Sequence, residues 1–243
     1  MTGALGLAGR DVADVLTAAA AAGGRSCRFR LTADRIELHA ESERLDARLA
    51  VGSALLVLRL ALQERGVRAL VTLRPPDVPG ALAVVRLGGT REPDEETQRL
   101  LGAAGAAEVE PVAGVPVPLA RRQALQRAAQ RERAWLQAVD KEEMAWLGVP
   151  DAPLVAVLCT FTDGPEAEVQ AGQALHRVQL AGACLGLTVR RDPCGPQRLR
   201  RALGGAVVPQ VVLRIGARPL GGAGAGGDGV VAVELPPQRR ASG

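Results

Sequence analysis

Apolar and polar positions follow two periods along this chain, and the switches between them mark out short helices and strands. Residues 11–22 form an alanine-rich run at helical spacing, opened by Asp11 at the N-cap and stopped by Gly23-Gly24. Arg28–Leu31 and Ile36–Ala40 are predicted as short strands around a Thr-Ala-Asp-Arg turn. A helix over 48–65 stops at Gly66, and a strand follows at Val67–Leu73. Pro75, Pro76 and Pro79 impose a loop before a further strand at Ala81–Leu87. Asp94, with Glu95 and Glu96 in the first turn, opens another helix where its dipole favours acids.

Residues 104–118 hold three prolines and two glycines and read as a connection. The amphipathic run over 119–147 predicts one long helix, with Trp135 and Trp146 on a single face. Pro153–Phe161 is an almost unbroken apolar stretch, the pattern of a strand covered on both sides. A helix at 166–185 ends at Gly186, followed by a strand at Leu187–Arg191 and a short basic helix at Arg198–Leu203. Gln210–Ile215 is a strand, with Pro209 marking its start or an edge position. Residues 221–229, GGAGAGGDG, read as a flexible linker, Val230–Leu235 as a final strand and the remainder as a tail.

Two of these helices repeat one pattern 120 positions apart, GSALLVLRLALQERGV at 52–67 and GQALHRVQLAGACLGL at 172–187. Gly52/Gly172, Ala54/Ala174, Leu55/Leu175, Leu60/Leu180, Ala61/Ala181 and Gly66/Gly186 are identical in that register. Each copy is followed by a β-rich run. The expected organisation is therefore α+β, with related halves at 1–103 and 119–220, the connection at 104–118 and the linker and tail at 221–243.

Composition changes this picture little. At 243 residues and 47% hydrophobic, the chain is long enough for one large or two small cores. Aromatics are only 2%, so Ala, Val and Leu must fill them. Lys141 is the only lysine among 30 basic residues, an arginine skew of the kind a GC-rich coding bias gives. The net charge of +4 therefore argues only weakly for an anionic partner. Cys27, Cys159, Cys184 and Cys194 lack metal-ligand spacing, and Cys159 and Cys184 are expected as buried, reduced thiols. No basic-then-apolar leader opens the sequence, and the apolar run at Ala50–Leu62 is too short to span a bilayer, so a cytoplasmic location is expected.

AVGSALLVLRLAL (50–62), AGQALHRVQLAGACLGL (171–187) and PQVVLRIG (209–216) resemble helices and a strand of Acg-type nitroreductase-like proteins. The order of RFR (28–30), IELHAESERL (36–45) and LVAVLCT (154–160) fits the same resemblance. It implies a nitroreductase-like fold: a mixed sheet flanked by helices, in two related halves that form an intrachain pseudo-dimer, with FMN between them. It further implies NAD(P)H as electron donor and a small-molecule acceptor, or a flavin store. The sequence departs from the family's flavin-side pattern. Only Arg28 and Phe29 match in the stretch Gly23–Phe29, AGAAEVEPVAGV at 104–115 lacks the expected arginine, and Val208 stands where the family has histidine before Pro209-Gln210.

On that resemblance, Arg25, Ser26 and Arg28 are the candidate cofactor-binding residues for the FMN phosphate, on a Gly-Gly loop that permits close backbone approach. The same loop also reads as a solvated basic turn. Gln173 offers an amide for the flavin ring edge, or is an ordinary half-buried polar residue. Arg214, inside an apolar strand, needs a phosphate, a carboxylate or water. His39 and His176 are the only histidines, and neither has a Cys or Asp beside it in sequence. No catalytic side chain is assigned, because flavin chemistry requires no acid–base residue. The expected assembly is a monomeric pseudo-dimer or a homodimer, and two other readings remain: a non-catalytic partner subunit, and an arginine-rich nucleic-acid binder using Arg190, Arg191, Arg198, Arg200 and Arg201. The scarcity of aromatics removes the usual stacking platforms for the latter.

Overall fold

The computed structural model describes residues 9–105, 109–192, 199–200 and 207–219. It divides into two compact units, one built on the chain up to Pro93 and the other beginning at Asp94.

The first unit contains α1 (Gly9–Gly23), β1 (Cys27–Leu31), β2 (Ile36–Ala40), α2 (Leu45–Glu64), β3 (Val67–Leu73) and β4 (Ala83–Thr90). Its strands form one sheet in the order β1-β2-β4-β3, every pair antiparallel. Alternation places Cys27 and Phe29 of β1 inward while Arg28 and Arg30 stay exposed. α2 packs on β1, β2 and β3, with α1 beside it. Val51–Leu58 are all buried, a run apolar on every side as expected for a helix enclosed by its neighbours. Its one polar member, Ser53, donates its hydroxyl to the Leu49 carbonyl at 3.2 Å. The helix ends as Gly66 turns left-handed, φ 74°, and donates its N–H to Gln63.

The second unit contains α3 (Glu95–Gly102), α4 (Leu119–Arg131), β5 (Ala134–Ala138), α5 (Lys141–Leu147), β6 (Leu154–Thr160), α6 (Pro165–Cys184), β7 (Leu187–Asp192) and β8 (Val208–Ala217). Its sheet runs β5-β6-β8-β7, again fully antiparallel. α6 packs on β6 and β7, and α3 and α4 pack on α6. Val155, Val157 and Cys159 of β6 meet a second apolar layer, built from Val139, Leu147 and Val149 with Trp135 and Met144 packed against it. β6 is thus buried on both faces, which is why its sequence is unbroken by polar residues. Both units contain the order helix, two strands, 20-residue helix, two strands, with α3 and α5 as additions in the second. α6 closes as α2 does, at Gly186 with φ 69°.

Several expectations are corrected. The α+β class holds, but the single mixed sheet is replaced by two separate antiparallel ones. In each, the long helix carries the chain to the far edge, so the next strand pairs only with the one that follows it. The helix expected over 119–147 is three elements. α4 ends at Glu132, Arg133 turns left-handed at φ 58°, and β5 carries Trp135. α5 then starts at Asp140, which accepts from the Glu143 N–H at 2.8 Å while Glu143 accepts from the Asp140 N–H at 2.9 Å. Trp135 and Trp146 therefore share no helical face.

Part of the segment expected as a connection is joined to the second unit's sheet. α3 packs against α6, and the segment after it is stitched to the second sheet. Val112 donates to the Ala217 carbonyl at 3.0 Å, and Thr188 donates to the Val109 carbonyl at 2.8 Å. Pro209 sits second in an inner strand, where the register shifts between Leu158 and Cys159 and tolerates its missing N–H. Cys184 is exposed rather than buried. The linker, the final strand at Val230–Leu235, Cys194 and most of the basic helix at 198–203 lie outside the described residues.

A Cβ at Gly66 or Gly186 would meet no atom within 4 Å, so alanine there tests the backbone alone. Gly66→Ala and Gly186→Ala should each cost about 1–2 kcal/mol of left-handed strain in urea unfolding. A loss near zero at either would show that its turn relaxes without a left-handed residue.

Candidate functional site

Three of the five candidate residues lie in the first unit. Arg25 and Ser26 occupy a 3-10 turn, Gly24–Ser26, set by a left-handed Gly24 with φ 55°. Gly23 allows that turn to lie on α2, since a Cβ there would stand 2.7 Å from the Cys27 Cβ and 3.0 Å from the Ala54 Cβ. Arg25 is exposed and makes no ion pair among the described residues. The Ser26 carbonyl accepts from the Glu41 N–H at 3.0 Å, which ties the turn to the end of β2. Arg28 pairs with Glu41 at 2.7 Å, with both side chains largely in solvent, where such a pair adds little stability.

The other two lie in the second unit. Gln173 is buried on α6, with His176 and Arg177 three and four residues on, sharing one helical face. The His176 Nε2 is buried without a hydrogen-bond partner among the described residues. Burial pushes its ring down to about 4, against an opposing hydrogen bond with Gln179, so it is neutral at physiological pH. Arg177 is buried and answered by acids, Glu132 at 2.8 Å and Glu96 at 3.3 Å. Arg214 is held from two sides: its Nε donates to Asp192 at 3.0 Å, and its two terminal nitrogens donate to Glu110 at 2.7 and 3.1 Å. This is a forked pair of the strong, geometrically specific kind. The carboxylate partner expected for Arg214 is thus Glu110 with Asp192.

Sequence reasoning missed the buried carboxylate of the first unit. Glu37 is 1% exposed and is met by Arg35 at 2.9 Å, His39 at 3.4 Å and Arg30 at 3.8 Å. Burial alone would raise its pKa, but the hydrogen bonds from Arg35 and His39 outweigh that and hold the carboxyl below its ordinary value. The signal was an acid between Ile36 and Leu38, two residues before His39, in a short strand. The two core thiols are chemically quiet: burial pushes Cys27 and Cys159 each up to about 12. No described helix is long and apolar enough to cross a membrane.

No protein-family model matches the chain, and no curated protein sequence matches it. Solved structures similar to it include NfrA2 from B. megaterium, 19% identical over 54% of this chain and 70% of that one, TM-score 0.43. Another is a candidate NADH dehydrogenase/NAD(P)H nitroreductase from Parabacteroides distasonis, 18% identical over 53% of this chain and 92% of that one, TM-score 0.46. A third is an FMN-dependent nitroreductase from Clostridium difficile, 18% identical over 50% and 88%, TM-score 0.41.

The unfolded His176 ring titrates near 6.5 and the folded one near 4, so the unfolded chain binds the proton first. Stability should be complete above pH 6.5 and fall by roughly 3 kcal/mol as pH drops towards 4. Glu37 adds its own loss only below its unfolded value of about 4.5. His176→Leu should flatten the pH 4–6.5 slope in denaturant titrations, and an undiminished slope would contradict the assignment.

Proposed function

We propose that the chain is a cytoplasmic, Acg-type nitroreductase-like protein that associates with FMN, accepts electrons from NAD(P)H and passes them to a small acceptor. One observation carries the reading. The two segments that resemble the family, 50–62 and 171–187, fall on α2 and α6, buried helices that occupy the same slot in two units of one topology. That repetition also supports an origin of the two units as related halves, the pseudo-dimer reading.

The residues present fit a flavin in part. In the first unit, Arg25 and Ser26 offer a guanidinium without an ion pair among the described residues and a hydroxyl, both suited to a phosphate. Separately, in the second unit, the neutral His176 carries an Nε2 without a hydrogen-bond partner among the described residues, which suits a polar ligand group. Arg214 is held by Glu110 and Asp192 and Arg28 by a surface pair with Glu41, so a phosphate would compete with those carboxylates for either one. FMN, when bound, supplies the redox chemistry, and this chain's own residues position it.

A second reading rests on the same two arginines. Cations answered by acids of their own unit suit a scaffold that no longer holds flavin and serves as a partner subunit. Gel filtration after incubation with FMN separates the two. Retained flavin absorbance near one FMN per chain, bleached by NADH or NADPH, supports the oxidoreductase reading, whereas retained flavin that neither donor bleaches supports a store. Arg25→Ala with Ser26→Ala should weaken retention about tenfold or more through loss of charge-assisted phosphate contacts. A colourless protein that retains nothing supports the scaffold.

A further inference from the structure

We propose that the outer edge of β3 is a docking site for an extended acidic peptide, which adds as a fifth strand to the sheet of the first unit. β3 pairs with β4 alone among the described strands, so among the described residues no strand meets the N–H and C=O groups of its other edge. The strand is seven residues long, enough to hold a partner in register.

Its side chains give the partner's chemistry. Arg68, Leu70 and Thr72 alternate outward along β3, and Arg74 follows at its end. Leu70 is 46% exposed. It lies over Gly88 of β4, where a Cβ would stand 2.4 Å from the Leu70 Cγ, so it is braced flat on the sheet. Arg68 and Arg74 are exposed and make no ion pair among the described residues. Arg74 is held at φ 44°, in the left-handed region that a residue before proline rarely enters, with its N–H donated to the Leu82 carbonyl at 2.9 Å. The edge thus carries a cation at each end, about 20 Å apart on an extended strand, with an apolar step between them.

This pattern selects against a second copy of the same strand. Antiparallel self-pairing centred on Val71 would set Arg68 against Arg74 twice over, and directly opposed like charges destabilise a strand pair. It selects for a strand with acids at two positions six residues apart, a small hydroxyl residue opposite Thr72 and an aliphatic residue opposite Leu70.

The test uses the full chain and a fluorescein-labelled heptapeptide, Glu-Ser-Thr-Ser-Val-Ser-Glu, read by fluorescence anisotropy. Its twin with both glutamates replaced by lysine should bind at least tenfold more weakly. Arg68→Glu with Arg74→Glu should reverse that preference, while circular dichroism reports that the variant folds. Of the two alternate patterns of backbone N-methylation on the peptide, one should abolish binding and the other leave it intact, the mark of strand addition rather than loose charge attraction. Equal affinity for the two peptides, or loss with neither methylation pattern, would overturn the proposal. So would binding that appears only after residues 220–243 are removed, since the chain's own tail would then be the occupant of that edge.

Discussion

Everything in this protein hangs on enclosing two long helices that are buried along most of their central turns. α2 presents buried residues at every position from Val51 to Leu58, and α6 buries Ala171–Leu175 with Arg177, Val178 and Leu180. A helix apolar on all sides has no stable place in water, because each buried Val or Leu stabilises the fold by about 1.5–3 kcal/mol only if something covers it. Each unit meets that demand with a four-stranded antiparallel sheet on one side and further helices on the other. With aromatics at 2% of the chain, the close fit depends on small residues at the contact points. Gly23 lies against α2, and a Cβ on Gly182 of α6 would stand 2.7 Å from Val189.

The two units answer the same constraint differently on the far face of the sheet. In the second, the β5–β6 connection is long enough to fold α5 down over Val155, Val157 and Cys159. In the first, β1 and β2 are joined by a four-residue turn that has no helix to offer, and the matching face is polar. Arg30, Arg35 and His39 gather around the buried Glu37, Arg28 and Arg86 pair with nearby surface acids, and the apolar part is the small cluster of Val78, Ala81 and Val84. Buried charge there is matched on all sides, as is Arg214 by Glu110 and Asp192 in the other unit. These are the features that hold the strands in register. They also show why an arginine in an apolar strand is a poor guide to a ligand site.

Elements with one dominant local signal were legible in the sequence. Ile36–Ala40 and Val67–Leu73 match their strands to the residue, and both long helices stop at their glycines. The break of 119–147 was not, because Ala134–Ala138 has neither proline nor glycine to interrupt a helical reading and the cap at Asp140 was hidden among other acids. Partners in space were also hidden: Glu110 lies 104 residues from Arg214, and Glu132 lies 45 from Arg177. Of the candidate site, the exposed turn at Arg25 and the face carrying Gln173 could be placed from local pattern. Which cations were already neutralised could not, since that is decided by strand register and not by any window of sequence.

Native-state hydrogen exchange on the intact chain, read by mass spectrometry, tests this account most directly. The amides of Val51–Leu62 and of Val169–Leu180 should be among the slowest to exchange, each together with the inner strands of its own sheet, β2 and β4 or β6 and β8. Fast exchange in α2 or α6, comparable to that of the Pro75–Gly80 loop, would contradict the claim that two enclosed helices organise the fold.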